Sequence, residues 1–241
     1  MSFTIARLVP EILGLNGSSQ NASLIASYLK HAGHEVTIID VHSLETAPLR
    51  VDAVCVGSGS ASSLRPAASA LIPLVRFLKL WREHGAWVVA MGTGWDLLGH
   101  SVTTPDGDTL PGAGIFSSRA DHRTARFSGE VAGVDYRGRP SVGYVNHVGE
   151  VDLGGGAPLV AIDAPESGYP RNEGCIAEGL FATRLGGPAL ALNPHWCGDI
   201  AEGLATAQGV TLVRTAFHDR IENAAQKARV LIESRLGISR G

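Results

Sequence analysis

A thiol close to an imidazole is the pairing to look for first in a chain that could do covalent chemistry, and His195-Trp196-Cys197 supplies one. Near a helix start, Cys197 would have a lowered pKa, with His195 as its base. The plainer reading is the stronger one, because neither residue sits on a sharp, exposing turn. Cys55 lies in the apolar run 51–56 (VDAVCV) and reads as a buried structural thiol. Cys175, in a glycine-rich stretch, carries no further signal. Nine histidines occur, but no H-E-x-x-H and no CxxC, so a metal site is not expected. His31, His34, Asp121 and His122 read as solvated surface residues. Arg119, Arg123 and Arg126 could together meet a phosphate or a partner's acidic face. Taken alone, Arg126 reads equally well as a carboxylate anchor and as an exposed strand arginine. The loop 57–63 (GSGSASS) could cradle an anion, yet it has no lysine at phosphate-loop spacing, and a flexible turn is simpler.

Those residues need elements to position them. Residues 6–14 read as a strand, with Pro10 placing it at an edge or at its own start. Asn16-Gly17-Ser18-Ser19 supplies turn and cap chemistry before a helix over 21–32, whose Leu24, Ile25, Tyr28 and Leu29 share one face. Strands follow at 34–40 and 51–56, then a helix over 67–83 and a strand at 87–91 (WVVAM). Short continuous apolar runs of this kind suit a parallel sheet covered on both faces. The order is that of a doubly wound α/β fold, in which ligands bind beyond the carboxyl ends of the strands. The loops that matter are therefore 16–21, 57–63 and 92–99. After residue 99 the texture changes. Antiparallel strands are expected at 125–135 and 140–147, joined by Tyr136-Arg137-Gly138-Arg139, with a strand at 159–162, a turn-rich loop at 166–174, a strand at 180–185, and helices at 194–208 and 217–236. No repeat or long linker divides the 241 residues, so one domain spanning 1–241 is the simplest reading.

Composition narrows the classes. The chain is 44% apolar and 18% charged, with a net charge of −3, which argues against disorder and against nucleic acid or an anionic membrane as a partner. The start of the chain lacks a signal-peptide pattern, and no apolar run approaches a bilayer span, so no membrane span is expected. Three sparse cysteines fit a reducing cytoplasm.

The segment Ala90-Met91-Gly92-Thr93-Gly94-Trp95-Asp96-Leu97-Leu98-Gly99 resembles the nucleophile elbow of class I glutamine amidotransferases, which reads approximately A-I-C-G-G-Y-Q-L-L-G. The likeness is to the CobB/CobQ (cobyric-acid-synthase) branch, and within it to the GatD group of glutaminase subunits, which pair with the Mur-ligase-like MurT. It runs through most of the chain. Leu13-Gly14-Leu15-Asn16-Gly17 and Asn21 match the family's opening, and Val56-Gly57-Ser58-Gly59 matches a strand ending in G-G-G. Arg126-Phe127-Ser128-Gly129 matches R-x-x-G, Gly143-Tyr144-Val145-Asn146-His147 matches G-F-E-N-H, and Leu153-Gly154 the L-G that follows. The segment Ala182-Thr183-Arg184-Leu185-Gly186-Gly187-Pro188 matches G-T-Y-L-H-G-P.

The resemblance implies a doubly wound, mostly parallel sheet with additional antiparallel strands. It also implies that the two catalytic positions are degenerate: Gly92 stands where the family has its cysteine and Gly186 where it has its histidine. Glutamine hydrolysis needs a thiolate and a base, and glycine supplies neither. Retained ligand-binding positions would be Arg126, Gly57, Gly59, Thr93 and Gly94, with no metal and no cofactor. Trp95 is expected to pack beside the emptied site. The expected reading is a pseudo-glutaminase partnering a Mur-ligase-like enzyme, with a link to cell-wall precursor amidation; glutamine or a related small acid is a candidate ligand. The rival reading is an active, divergent enzyme drawing on Asp96, His100 and Arg126 near the old pocket.

Overall fold

The computed structural model describes residues 1–163 and 168–239. In chain order it holds β1 (Ser2–Leu8), α1 (Gln20–His31), β2 (Glu35–Val41), β3 (Ala53–Val56), α2 (Leu64–Leu71), α3 (Val75–Glu83), β4 (Trp87–Met91) and α4 (Thr93–Leu98). A second group follows: β5 (Ser101–Thr103), β6 (Thr109–Pro111), β7 (Arg119–Asp135), β8 (Pro140–Asp152), β9 (Val160–Ile162), β10 (Asn172–Glu173), β11 (Cys175–Ala177) and β12 (Leu180–Thr183). The chain closes with α5 (Ala189–Leu192), α6 (Pro194–Ala207) and α7 (Ala216–Arg235). Among the described residues no helix is long and apolar enough to cross a membrane.

The first sheet has the strand order β11-β12-β4-β3-β1-β2, parallel except where β11 pairs antiparallel with β12. Alternation along its strands divides the core into two layers. Phe3, Ile5, Cys55, Val89, Met91 and Phe181 pack against α1 and α6, where Ile25, Leu29, Trp196 and Ile200 are fully buried. Leu8, Val54, Val56, Val88 and Ala90 face the other way, onto Leu64, Leu71, Leu78 and Trp81 of α2 and α3. Both faces are covered, which is why these strands read as unbroken apolar runs. The second sheet runs β10-β9-β7-β5-β6, with the long β8 paired antiparallel to β7.

Several boundaries differ from the sequence expectations. The first strand starts at Ser2 and ends at Leu8, and it pairs on both sides, so it is central and not an edge. Pro10 lies beyond it, in a turn entered through Val9 at φ 42°. The helix expected over 67–83 is broken by a 3-10 turn at Ile72–Leu74, where Pro73 removes an N–H donor. Strand β8 continues past residue 147 to Asp152. Of the loop expected at 166–174, residues 166 and 167 lie outside the described residues, and the remainder includes β10.

The feature that positions the site is the junction of β4 and α4. Strand β4 sits between β3 and β12, so the carboxyl ends of all three open onto one place. The loop after β3 is locked there: the Leu15 N–H donates to Ser58 O at 2.9 Å, and the Ser58 N–H donates to Ser18 Oγ at 2.8 Å. A bridge from the Gly186 N–H to Tyr144 O, 2.6 Å, ties the end of the first sheet to β8 of the second.

Candidate functional site

Between β4 and α4 the chain turns through a single residue, Gly92, at φ 48° and ψ −121°. That conformation is strained for any residue with a Cβ, and glycine adopts it freely. The turn is pinned on both sides, with the Gly92 N–H donating to Thr183 O at 2.9 Å and the Asp96 N–H to Gly92 O at 3.1 Å. A Cβ placed on Gly92 would stand 2.3 Å from Ser58 Oγ and 2.9 Å from Ser58 Cβ. The place of a first side-chain carbon is thus taken by a hydroxyl from the facing loop. Ser58 Oγ in turn accepts the Thr93 N–H at 3.3 Å, and the Thr93 hydroxyl donates to Gly59 O at 3.0 Å.

Around this turn lies a cleft of two adjoining lobes, about 360 and 270 Å³. Asn16, Ser58, Gly92, Asn146, His147 and Arg184 line both lobes. Gly186 borders the larger one; Thr93, Asp96, His122 and Arg126 border the smaller. A larger groove of about 610 Å³, lined by Trp87, Arg137 and Asp199 among others, lies at the opposite end of β4 and has no part in this arrangement.

Beneath the cleft is a buried polar chain. Arg184 donates to Asp96 Oδ1 through both Nε (3.1 Å) and Nη2 (2.7 Å), and its Nη1 reaches Gly149 O at 2.7 Å. The other carboxylate oxygen, Oδ2, accepts His122 Nε2 at 2.9 Å. The side chains of Arg184, Asp96 and His122 are only 3%, 4% and 8% exposed. Burial on its own would raise the Asp96 pKa, but the Arg184 charge and the His122 hydrogen bond outweigh it and hold the carboxyl below its usual range. Because a carboxylate only accepts, His122 Nε2 carries a proton, and in the neutral ring Nδ1 keeps the lone pair. Glu173 holds the next link, accepting from Thr183 Oγ1, from the Arg184 N–H at 2.8 Å and from the Tyr169 hydroxyl at 3.2 Å.

His147 sits against this chain, with Nδ1 3.4 Å from Arg184 Nη1 and Nε2 3.3 Å from the Tyr169 hydroxyl. Burial, and then the Arg184 charge, push its pKa down to about 3. The native state therefore refuses a proton that the unfolded chain accepts below about pH 6.5, the ordinary histidine value. Stability is expected to be full above that value and to fall as pH drops toward 3, with Asp96 adding to the acid side as its lowered pKa is approached. Urea midpoints measured from pH 7 to pH 4 should show this slope, and His147→Gln should flatten it; an unchanged slope would remove His147 as the cause.

The profile of the CobB/CobQ-like glutamine amidotransferase domain matches residues 26–193, well over half of the chain. The chain belongs to this family. It is 24% identical over 238 residues, 95% of each chain, to the lipid II isoglutaminyl synthase (glutamine-hydrolysing) subunit GatD of Staphylococcus aureus strain N315. Among solved structures it resembles PurLQS from Thermotoga maritima, with a TM-score of 0.51 at 12% identity, covering 86% of this chain and 97% of that one. It also resembles a glutamine amidotransferase crystal structure, with a TM-score of 0.50 at 15% identity, covering 82% and 98%. These two likenesses concern the fold.

Within the amidotransferase frame, Gly92 occupies the turn of the elbow and Gly186 stands at the cleft edge. Of the expected ligand positions, Arg126, Gly59 and Thr93 line the smaller lobe. Gly57 and Gly94 lie behind it, buried where the Gly94 N–H donates to Gly57 O at 3.0 Å. Asp96 is at the site but engaged by Arg184 and His122. His100, exposed and joined through its backbone to Ser118, does not line the cleft. His122, expected on the surface, is buried at a β-bulge that turns it inward. Trp95 is 1% exposed and packs edge-on to Phe116 at 6.5 Å. Of the three arginines, only Arg126 reaches the cleft, while Arg123 is tied to Asp121 at 2.7 Å. All three thiols are buried away from the cleft: burial pushes Cys55 up to about 12 and raises Cys175 and Cys197, so Cys197 is not the lowered-pKa thiol its place near a helix start suggested.

Sequence reasoning missed Arg184 and Ser58. A lone charge inside the apolar run LFATRLGG was the available signal for Arg184. Nothing in GSGSASS singled out Ser58, whose importance arises only from its approach to Gly92.

Proposed function

We propose that this chain is a GatD-like amidotransferase subunit that does not hydrolyse glutamine, acting in the cytoplasm as a single domain beside a Mur-ligase-like, amide-forming partner. The observation that carries this reading is the elbow: a glycine at φ 48°, with Ser58 Oγ 2.3 Å from the place where the first carbon of a nucleophilic side chain would stand. No cysteine borders the cleft among the described residues, and Gly186 leaves the second catalytic position without a base. The partner class rests on the likeness to GatD, a named subunit of a lipid II isoglutaminyl synthase. Under this reading the subunit acts by binding, or by passing free ammonia, and not by making it. Purified protein, alone and with a co-purified Mur-ligase-like partner, should release no ammonia from glutamine above the buffer rate. Steady, partner-dependent release would sink the proposal.

One observation favours a second reading, a pocket that still binds a small acid. Arg126 borders the cleft, its side chain bonded to Asn146 Oδ1, and among the described residues it has no carboxylate partner. A bidentate contact to a ligand carboxylate suits a guanidinium placed this way. Glutamine should then raise the melting temperature, and Arg126→Ala should abolish that rise; the absence of any shift favours the binding-partner role alone.

A further inference from the structure

The oxygen that fills the nucleophile's place at the elbow is itself a nucleophilic group. Ser58 is anchored through both backbone groups, by Ser18 and by Leu15, so its backbone is held beside the elbow. It borders both lobes of the cleft, and its Oγ accepts the Thr93 N–H. The smaller lobe is also bordered by His122, whose Nε2 is fixed on Asp96. Asp96 is in turn fixed by Arg184. An imidazole oriented by a carboxylate and a hydroxyl bordering the same lobe are the groups by which a serine becomes a nucleophile.

We infer that Ser58 and the His122–Asp96 pair form a hydrolytic centre for small acyl esters, distinct in its nucleophile and base from the family's cysteine and histidine. Ser58 Oγ bonds to the acyl carbon while its proton passes to His122 Nδ1. No direct hydrogen bond joins the hydroxyl and the imidazole among the described residues, so the transfer requires the two groups, which border the same lobe, to close on one another when substrate binds. The Thr93 N–H, released from Oγ, donates to the anionic oxygen. The carbonyl re-forms, the ester C–O bond breaks, and the alcohol leaves with the proton returned by His122. Water then repeats the sequence on the acyl-serine, releasing the acid and restoring the Ser58 hydroxyl. His147 takes no part as a base, since both of its nitrogens are engaged and its pKa is low.

A small alkyl fluorophosphonate tests this on the intact chain. Ser58 Oγ should displace fluoride from phosphorus and add one phosphonyl group to the peptide containing Ser58, as read by mass spectrometry. Ser58→Ala should lose the adduct with an unchanged melting temperature, and His122→Gln, which keeps a donor for Asp96, should label roughly 100-fold more slowly. If His122→Gln does not fold, His122→Asn takes its place in the same comparison. An unmodified Ser58 on natively melting protein, or labelling in the His122 variant equal to that of the wild type, overturns the inference. Ammonia release from glutamine is measured separately, so this centre and the absence of glutaminase stand or fall independently.

Discussion

Replacing Arg184 by methionine is expected to cost about 3–5 kcal/mol of folding free energy, the range for breaking a buried ion pair. The cause is not the lost attraction alone. Asp96, 4% exposed, would keep its charge with only His122 to answer it, and Gly149 O would lose its donor. For a chain of this length, that corresponds to a fall in melting temperature of roughly 6–20 °C. The pair as a whole need not be stabilising. Removing both charges, as Arg184→Met with Asp96→Leu, should recover part of the loss, since an apolar replacement of a buried pair is often neutral. Urea unfolding of the single and the double variant measures this. A loss below about 1 kcal/mol for Arg184→Met would show that water reaches the pair and that it is not the buried chain described above.

Gly57→Ala should be of similar severity for a different reason. A Cβ there would stand 1.9 Å from Leu13 O and 2.8 Å from Ser18 Oγ. The first is backbone, in a segment held by the Leu15 to Ser58 hydrogen bond, so it cannot swing aside as a side chain could. Overpacking of this kind costs about 1–3 kcal/mol and more where backbone must move. We expect at least about 3 kcal/mol here, with Ser62→Ala in the same loop changing stability by less than about 0.5 kcal/mol. The variant should also displace Ser58, so fluorophosphonate labelling and stability should fall together. A fully stable Gly57→Ala would mean that the loop after β3 is looser than its contacts indicate.

Much of the architecture could be read in advance, because it rests on local signals. The apolar runs of β3 and β4 and the helix of α1 each follow from composition and period, whereas the loop expected over 92–99 is a turn at Gly92 followed by helix from Thr93 to Leu98, and only the family resemblance pointed to that turn. So does the doubly wound order, and with it the place where a ligand would sit. The polar chain under the cleft rests on pairings far apart in sequence. Asp96 meets Arg184 across 88 residues and His122 across 26. Periodicity could not place His122 in particular, since the register of β7 on β8 shifts between Asp121 and Arg126. Alternation predicts a face only while the pleat is regular. Pro10 misled in the other direction: a residue that excludes a central strand was read into β1, when the strand had already ended at Leu8.

The close approach of Ser58 to Gly92 also couples two positions in any redesign of the elbow. A thiol placed by Gly92→Cys alone would set a Cβ 2.3 Å from a hydroxyl. Ser58→Gly alone would leave an elbow with neither oxygen nor sulfur at its tip. A designed thiol there therefore asks for both substitutions in one protein.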